Sequence, residues 1–434
     1  MMTRLSLLIS AAKAMSLLIK NIRFLVHTEE TPKSKYCGEE MSKLNCIEHA
    51  WVLIASGLIH SFGSQSDLDE QKLKLSNPGL KVVDAKGGSV FPSWCDAHTH
   101  LVYSGSREME FADRLRGLTY EQIAQRGGGI LTSVARLRKT SGEELFRDAM
   151  ERIDEIMWLG TGAVEIKSGY GLDMESELKM LRVIRRIKEE SQLTVKATFL
   201  GAHAIPVEFE NNKEGYLDLI IREMLPAIAA EKLADYCDIF CERNYFSRSD
   251  AIRLFDAARK HGLLPKVHAE QLSHHGGIEA GVESEAISVD HLEYANEHDI
   301  ALLRNTRTMP VLLPGAQFFL DLPRPPARAM IAAGLPVAIC SDFNPGSSPS
   351  GNMNQMVSLA CILYKLTTEE AIIAATSNSA YAMGCSETQG SIAVGKKANL
   401  FITRPIPSYD FLPYYFGENV IEKIILNGNL ISQA

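Results

Sequence analysis

Two imidazoles stand one residue apart in the segment CDAHTH, at His98 and His100. On a β-strand alternate side chains face the same side, so both can reach one ion from the end of a single strand. Such a pair on its own is commonly a surface or core feature. His268 in PKVHAEQ adds a third nitrogen, and Asp342 in ICSDFN adds a carboxylate. Three neutral nitrogens and one carboxylate suit zinc or ferrous iron and leave room for water or a substrate oxygen. A metal held this way lowers the pKa of its water to about 7, which supplies hydroxide at neutral pH. A closed structural site is the weaker reading, because structural sites are usually rich in cysteine. The histidine pair, His268 and Asp342 lie far apart in the chain, so this chemistry exists only if the fold gathers them.

The elements that would gather them are legible. From Phe91 to Gly384, apolar strand-like runs alternate with amphipathic helical segments. The eight runs are VFPSWCDAH, GAVEIKSGY, TVKATFLGAH, YCDIFCE, PKVHAEQ, ISVDHL, MPVLLPGA and PVAICSDF. Between two of them, SELKMLRVIRRIKEE places Leu178, Leu181, Ile184 and Ile187 at near-helical spacing. The expected fold class is therefore α/β, a (β/α)8 TIM-type barrel, whose chemistry sits at the C-terminal strand ends. Those ends carry Lys167-Ser168-Gly169-Tyr170, His203, His268 to Gln271, Asp290-His291 and Asp342 to Asn344. His203 and His291 join the candidate site on this ground. His27, His49, His60, His261 and His298 read as solvated, and His274 and His275 as surface residues.

Strand-rich segments flank the barrel on both sides, among them SLLIKNIRFLV, WVLIASGLIHSFG, SIAVGKKANLFITR and VIEKIILNGNLI. The expected organisation is a small composite β-domain from residues 15–90 and 385–434, a hydrolase barrel over 91–384, and an N-terminal extension over 1–14. That extension is either a targeting segment or an upstream start ahead of Met15, and the second is the simpler reading. A net charge of −8 without a basic stripe argues against nucleic acid. No run of about 18 apolar residues exists to cross a membrane. The eight cysteines are scattered, as thiols of a reducing, cytoplasmic compartment would be. Cys237 and Cys241 fall within a strand-like run and read as core. The triple glycine Gly127-Gly128-Gly129 lacks the GK[ST] ending of a nucleotide-phosphate loop, which counts against ATP.

Taken in order, DAHTHL, GSRE, RGGGI, KSGYGLD, GAHAIP, VHAEQL, SVDHLE and SDFNPGS resemble the motif series of the imidazolonepropionase family. The resemblance covers about Phe91 to Gly384, and the flanking strands are similar to the composite β-domain of the wider amidohydrolase superfamily. It implies metal-dependent hydrolysis of 4-imidazolone-5-propanoate to N-formimidoyl-L-glutamate, in histidine degradation. It also implies one divalent or trivalent metal per chain, zinc or iron, on His98, His100, His268 and Asp342. Arg107, Tyr170 and His203 would contact the substrate, with Gln271, Asn344, Gly346 and Ser347 lining the same pocket. The general base is left among Asp342, His291 and Glu270.

One departure bears on that choice. Some members are acidic three positions after the metal-binding histidine, where this chain has Gln271 beside Glu270. Glutamine keeps hydrogen bonding but removes a proton acceptor. Lys167 lies in the second strand run, away from a bridging-carbamate position, which favours a single metal. The rival readings are another cyclic amidohydrolase or nucleobase deaminase, and a non-catalytic scaffold that would be expected to have lost ligands. A nucleobase carries no propionate for Arg107 to hold. The small-molecule enzyme is expected to be a homodimer, the commonest closed assembly.

Overall fold

Punctuation in the sequence sets the first sheet. The computed structural model describes residues 16–118, 122 and 128–432; residues 1–14 and Gly127 lie outside the described residues. The chain opens with β1 (Ser16–Val26), β2 (Cys46–Ala55), β3 (Leu58–Ser64), β4 (Lys81–Asp84) and β5 (Gly88–Pro92). The run WVLIASGLIHSFG folds back on itself at Ser56-Gly57, whose φ angles of +53° and +81° fit a two-residue hairpin turn.

The middle of the chain forms the barrel. Its strands are β6 (Trp94–Thr99), β7 (Thr161–Lys167), β8 (Thr194–Ala202), β9 (Tyr236–Cys241), β10 (Leu264–Ala269), β11 (Ser288–His291), β12 (Met309–Leu312) and β13 (Ala338–Ile339). They pair in chain order, and every pairing is parallel. The eight runs thus become eight strands, with two adjustments. The first run is divided: Phe91 and Pro92 lie in the outer sheet, and the barrel strand begins at Trp94. Pro92 has no N–H with which to extend a ladder. The last run yields only a two-residue strand, because Asp342 leaves the extended region at φ +53°.

Closure brings the two ends of the barrel together. Thr99 bridges Phe343 in parallel, the Asp342 N–H donates to the His98 carbonyl at 3.0 Å, and the His100 N–H donates to the Phe343 carbonyl at 2.9 Å. This seam sets Asp342 beside the histidine pair. The helix Met174–Glu190 shows how the outer layer is held. Leu178, Leu181, Ile184 and Ile187 are buried as their spacing predicts, against β8 and the helix Gly142–Trp158. Each such burial is worth roughly 1.5–3 kcal/mol before entropy is counted, and Asp173 caps the first turn by accepting from the Ser176 N–H.

After the barrel the chain returns to the first sheet through β14 (Leu400–Pro405), β15 (Ile421–Leu426) and β16 (Asn429–Ile431), with β14 antiparallel to β5. Phe401 of β14 stacks on Phe91 at 5.1 Å and leans on Trp94 at 5.2 Å, which ties sheet to barrel. His49, His60, His261 and His298 are exposed, as the sequence suggests. His27 is not. It is buried, with Nδ1 3.2 Å from Thr376 Oγ1 and Nε2 3.4 Å from Ser377 Oγ. The polar stretch that it opens packs against the barrel, so polarity of the neighbours misreads its exposure. No helix among the described residues is long and apolar enough to cross a membrane.

Candidate active site

His98, His100, His268 and Asp342 are gathered and buried at the C-terminal strand ends. Asp342 Oδ1 lies 3.5 Å from Nε2 of His98 and 3.5 Å from Nε2 of His100. Nε2 of His268 lies 3.4 Å from Nε2 of His100. Donor atoms of His98, His100 and Asp342 lie within 4.8 Å of one another, and those of His98, His268 and His291 form a second such group that shares His98. Nε2 of His98 is buried without a hydrogen-bond partner, a state that ordinarily costs about 1–3 kcal/mol. A metal ion beside that atom relieves the cost, so the residues present fit the group. Burial, with Lys167 beside His98 and His203 beside His100, holds both imidazoles well below their usual pKa. Neutral nitrogens are what a cation requires.

His291 borders the same cluster, its ring 5.3 Å from that of His268 and 5.5 Å from that of His98. Burial opposes its protonation, but Glu293, with Oε1 3.6 Å from Nδ1, and then Asp342 outweigh burial and leave its pKa raised. Glu270 is placed differently. Its carboxylate accepts from the N–H groups of His275 at 3.2 Å, Gly277 at 2.8 Å and Ile278 at 3.0 Å. It closes the loop before the helix Gly277–Glu283, and burial pushes its pKa up to about 7. Asp342, His291 and Glu270 all sit at positive φ, +53°, +90° and +50°. Such backbone costs of order 1–3 kcal/mol per residue and concentrates at functional sites.

Loops after the strands surround the cluster. Gly169 (φ +108°) and Leu172 (φ +53°) bend the chain around Tyr170. A Cβ on Gly169 would meet His203 Nδ1 at 2.9 Å, so the loop lies directly on that ring. His203 Nδ1 is 3.1 Å from the Gly169 carbonyl, and the ring stacks on His100 at 5.1 Å. Burial lowers its pKa to about 3, so Nδ1–H donates and Nε2 is left as an acceptor. Tyr170 lies 5.9 Å from His100 and 5.6 Å from His203, ring to ring.

Arg107 donates to Glu110 at 2.6 Å and covers Gly346, where a Cβ would lie 2.2 Å from its Nη1. Asn344 Oδ1 accepts from the N–H groups of Gly346 and Ser347, both at 2.8 Å, and Ser347 Oγ reaches Asp342 Oδ2 at 3.3 Å. Gln271 is buried beside Glu270, and His274 is exposed and bonded to Asp299 at 3.0 Å.

Several further residues pack against this site, Asp238, Glu165, Lys266 and Glu177 without a signal among the strand ends, and Asp290 and Asp96 as strand-end residues with no role assigned. Asp238 Oδ2 lies 3.0 Å from His268 Nδ1, and Asp290 Oδ2 lies 2.6 Å from His98 Nδ1. Glu165 and Lys266 pair in the barrel interior, while Asp96 accepts from the Ser341 N–H at 3.0 Å and from its hydroxyl. Glu177 holds the Tyr170 loop through three backbone N–H groups. A strand-period signal existed for some of them. Glu165 and Lys266 stand two positions before Lys167 and His268, and Asp96 two before His98, so each pair shares a strand face.

A parallel eight-stranded barrel with an HxH pair, a later histidine and a closing aspartate at its strand ends defines a metal-dependent amidohydrolase. The Amidohydrolase family model matches residues 129–412. The imidazolonepropionase of Christiangramia forsetii is 54% identical, over 96% of this chain and 100% of its own. That of Flavobacterium johnsoniae is also 54% identical, over 95% and 99%. Among solved structures, E. coli guanine deaminase superposes with a TM-score of 0.73, over 97% of this chain and 99% of that chain. At 14% identity the last is a likeness of fold alone. The chain belongs to the imidazolonepropionase family of amidohydrolases.

Proposed function

We propose that this chain hydrolyses the ring C–N amide bond of 4-imidazolone-5-propanoate to give N-formimidoyl-L-glutamate. The observation that carries the reading is the convergence of His98, His100, His268 and Asp342, in a chain 54% identical to imidazolonepropionases along its whole matched length. Those four side chains would hold one zinc or iron ion. When bound, such an ion supplies a Lewis acid that acidifies water at neutral pH.

The chain's own residues do the rest. Arg107, which lies over Gly346, would hold the propionate with the paired donors of its guanidinium. Tyr170 and His203 orient the ring, and Asn344 shapes the Gly346–Ser347 turn against it. Asp342 takes the proton of the attacking water and returns it to the departing nitrogen. His291, its protonation favoured by Glu293, donates to the carbonyl oxygen as negative charge develops there. Glu270 is withheld from the role of base because its carboxylate is committed to three backbone N–H groups.

We further propose a barrel over residues 91–384 with a composite β-domain from 15–90 and 385–434, residues 1–14 being an extension. A homodimer and a cytoplasmic setting complete the reading; the eight free cysteines support the latter. The test is purified, metal-analysed protein with 4-imidazolone-5-propanoate, followed by loss of ring absorbance with and without chelator. Turnover that disappears on metal removal and in His268→Ala is the expected result. One metal per chain without turnover would overturn the substrate assignment and favour a nucleobase, while an inactive protein that binds no metal would favour a scaffold.

A further inference from the structure

Beneath the four ligand side chains, the barrel interior holds a charge cluster with an uneven division of labour. The Lys167 side chain is fully buried on β7. Its Nζ lies 2.7 Å from Glu165 Oε1, 2.9 Å from Asp238 Oδ2 and 3.5 Å from Asp290 Oδ2. These carboxylates come from β7, β9 and β11. The two oxygens contributed by Asp238 and Asp290 are the same two that face the ligand histidines. Asp238 Oδ2 lies 3.0 Å from His268 Nδ1, and Asp290 Oδ2 lies 2.6 Å from His98 Nδ1. One ammonium therefore faces two carboxylate oxygens: the Asp290 oxygen bonds the His98 imidazole, while the Asp238 oxygen lies within ion-pair reach of His268 Nδ1, which makes no hydrogen bond.

We propose that Lys167 is a positioning residue for the metal centre, fixing the Nδ1–H tautomer and ring angle of His98 through Asp290 and holding the Asp238 carboxylate against His268. The inference rests on the reading of His98, His100, His268 and Asp342 as ligands. An imidazole presents Nε2 to a metal when Nδ1 donates to a fixed carboxylate, and that outer partner sets the ring's orientation. Two carboxylates crowded around one nitrogen repel each other once the cation is removed. Asp238 and Asp290 would then separate and carry the two rings with them.

Lys266 provides the internal contrast. It is equally buried, and its charge also acts on Asp290, yet its bonds go to Glu165 and the carbonyls of Ala97 and Ala382 at 3.2 Å and to no carboxylate that faces a ligand histidine. If Lys167 served only to balance charge in the interior, removing either lysine would have the same consequence. If it positions ligands, only its own removal disturbs the metal.

The experiment uses cobalt(II) as the probe on full-length Lys167→Met, Lys266→Met, His268→Ala and wild-type protein, measuring affinity and the visible ligand-field spectrum. Lys167→Met is expected to bind cobalt about 10–100-fold more weakly, with altered bands. Lys266→Met is expected to keep the wild-type spectrum even with a lower melting temperature. Wild-type affinity and spectrum in Lys167→Met overturn the proposal, and so does an equal change in both lysine variants. Should Lys167→Met not fold, Lys167→Gln carries the same test, since it keeps two donors and removes the charge; an unchanged spectrum there also overturns it. Undiminished cobalt binding by His268→Ala would instead sink the ligand reading beneath it.

Discussion

Glu177 offers a sharp test of how the Tyr170 loop is held. Its side chain, fully buried on the helix Met174–Glu190, accepts from Gly171 at 2.8 Å and Leu172 at 3.0 Å through Oε1, and from Gly169 at 3.2 Å through Oε2. Those three N–H groups bracket Tyr170. Glu177→Gln keeps Oε1 for two of them but turns an NH2 group toward the Gly169 N–H. One buried donor is stranded, at about 1–3 kcal/mol, and the two surviving bonds lose their charge-assisted strength. Burial raises the Glu177 pKa, so the neutral amide recovers part of that loss by avoiding desolvation. A net local cost of about 2 kcal/mol follows, which is about a 30-fold rise in loop opening.

Melting temperature is a poor readout of this change. With about 2.1 cal/mol/K of unfolding entropy per residue, 1 kcal/mol moves a 434-residue chain by only about 1 °C. Amide hydrogen exchange resolves it. Exchange at Gly169–Leu172 should quicken about 30-fold while the barrel strands stay protected, and KM should rise more than kcat falls. Exchange at those amides within threefold of wild type, or a rise spread evenly across the barrel, would refute the argument.

Arg107→Ala should raise KM about 100-fold with a smaller effect on kcat, and an analogue lacking the propionate should not distinguish the variant from wild type. Gly346→Ala should displace the Arg107 guanidinium, raising KM about tenfold with little change in stability, because the group it meets is the far end of a flexible side chain. Glu270→Gln should leave turnover within about tenfold and the pH–rate profile unmoved; a loss of 10²–10⁴, the scale of general-base removal, would restore it as base. His27 has a folded pKa of about 4 against 6.5 for the free side chain, burial being the first cause. The unfolded chain therefore binds the extra proton between those values, and the stability His27 confers is full above 6.5 and falls by about 1.4 kcal/mol per unit toward pH 4. Urea unfolding of wild type and His27→Gln from pH 4.5 to 7 should show a difference that shrinks on acidification; a constant difference would refute a neutral buried His27.

The barrel was legible because strand period and helix period are both local. The eight apolar runs became the eight barrel strands, and the helix from Met174 to Glu190 buried the four residues its spacing named. The gathering of polar strand ends was legible for the same reason, since architecture converts position into proximity. Orientation was not. Glu270 and Gln271 are adjacent in a motif, yet the positive φ at Glu270 turns its carboxylate to the helix Gly277–Glu283. His27 was misjudged because burial depends on a segment 349 residues away, at Thr376. Asp238 was read as part of an apolar strand, and only its approach to His268 across β9 and β10 reveals its role.

The interior of this barrel also bears on why its charges are there at all. A barrel core is ordinarily filled by layers of branched apolar side chains. Here Glu165, Lys167, Asp238, Lys266 and Asp290 are all fully buried within it. Taking each ion from water costs several kcal/mol, and pairing offsets that cost only with good geometry, so an apolar layer of equal volume would be at least as stable. The geometry is good at one histidine and incomplete elsewhere: Asp290 Oδ2 meets His98 at 2.6 Å, whereas Asp290 Oδ1 and His268 Nδ1 are buried without a partner. An interior that maximised stability would not leave those atoms stranded, which accords with the proposal that these charges position the histidines.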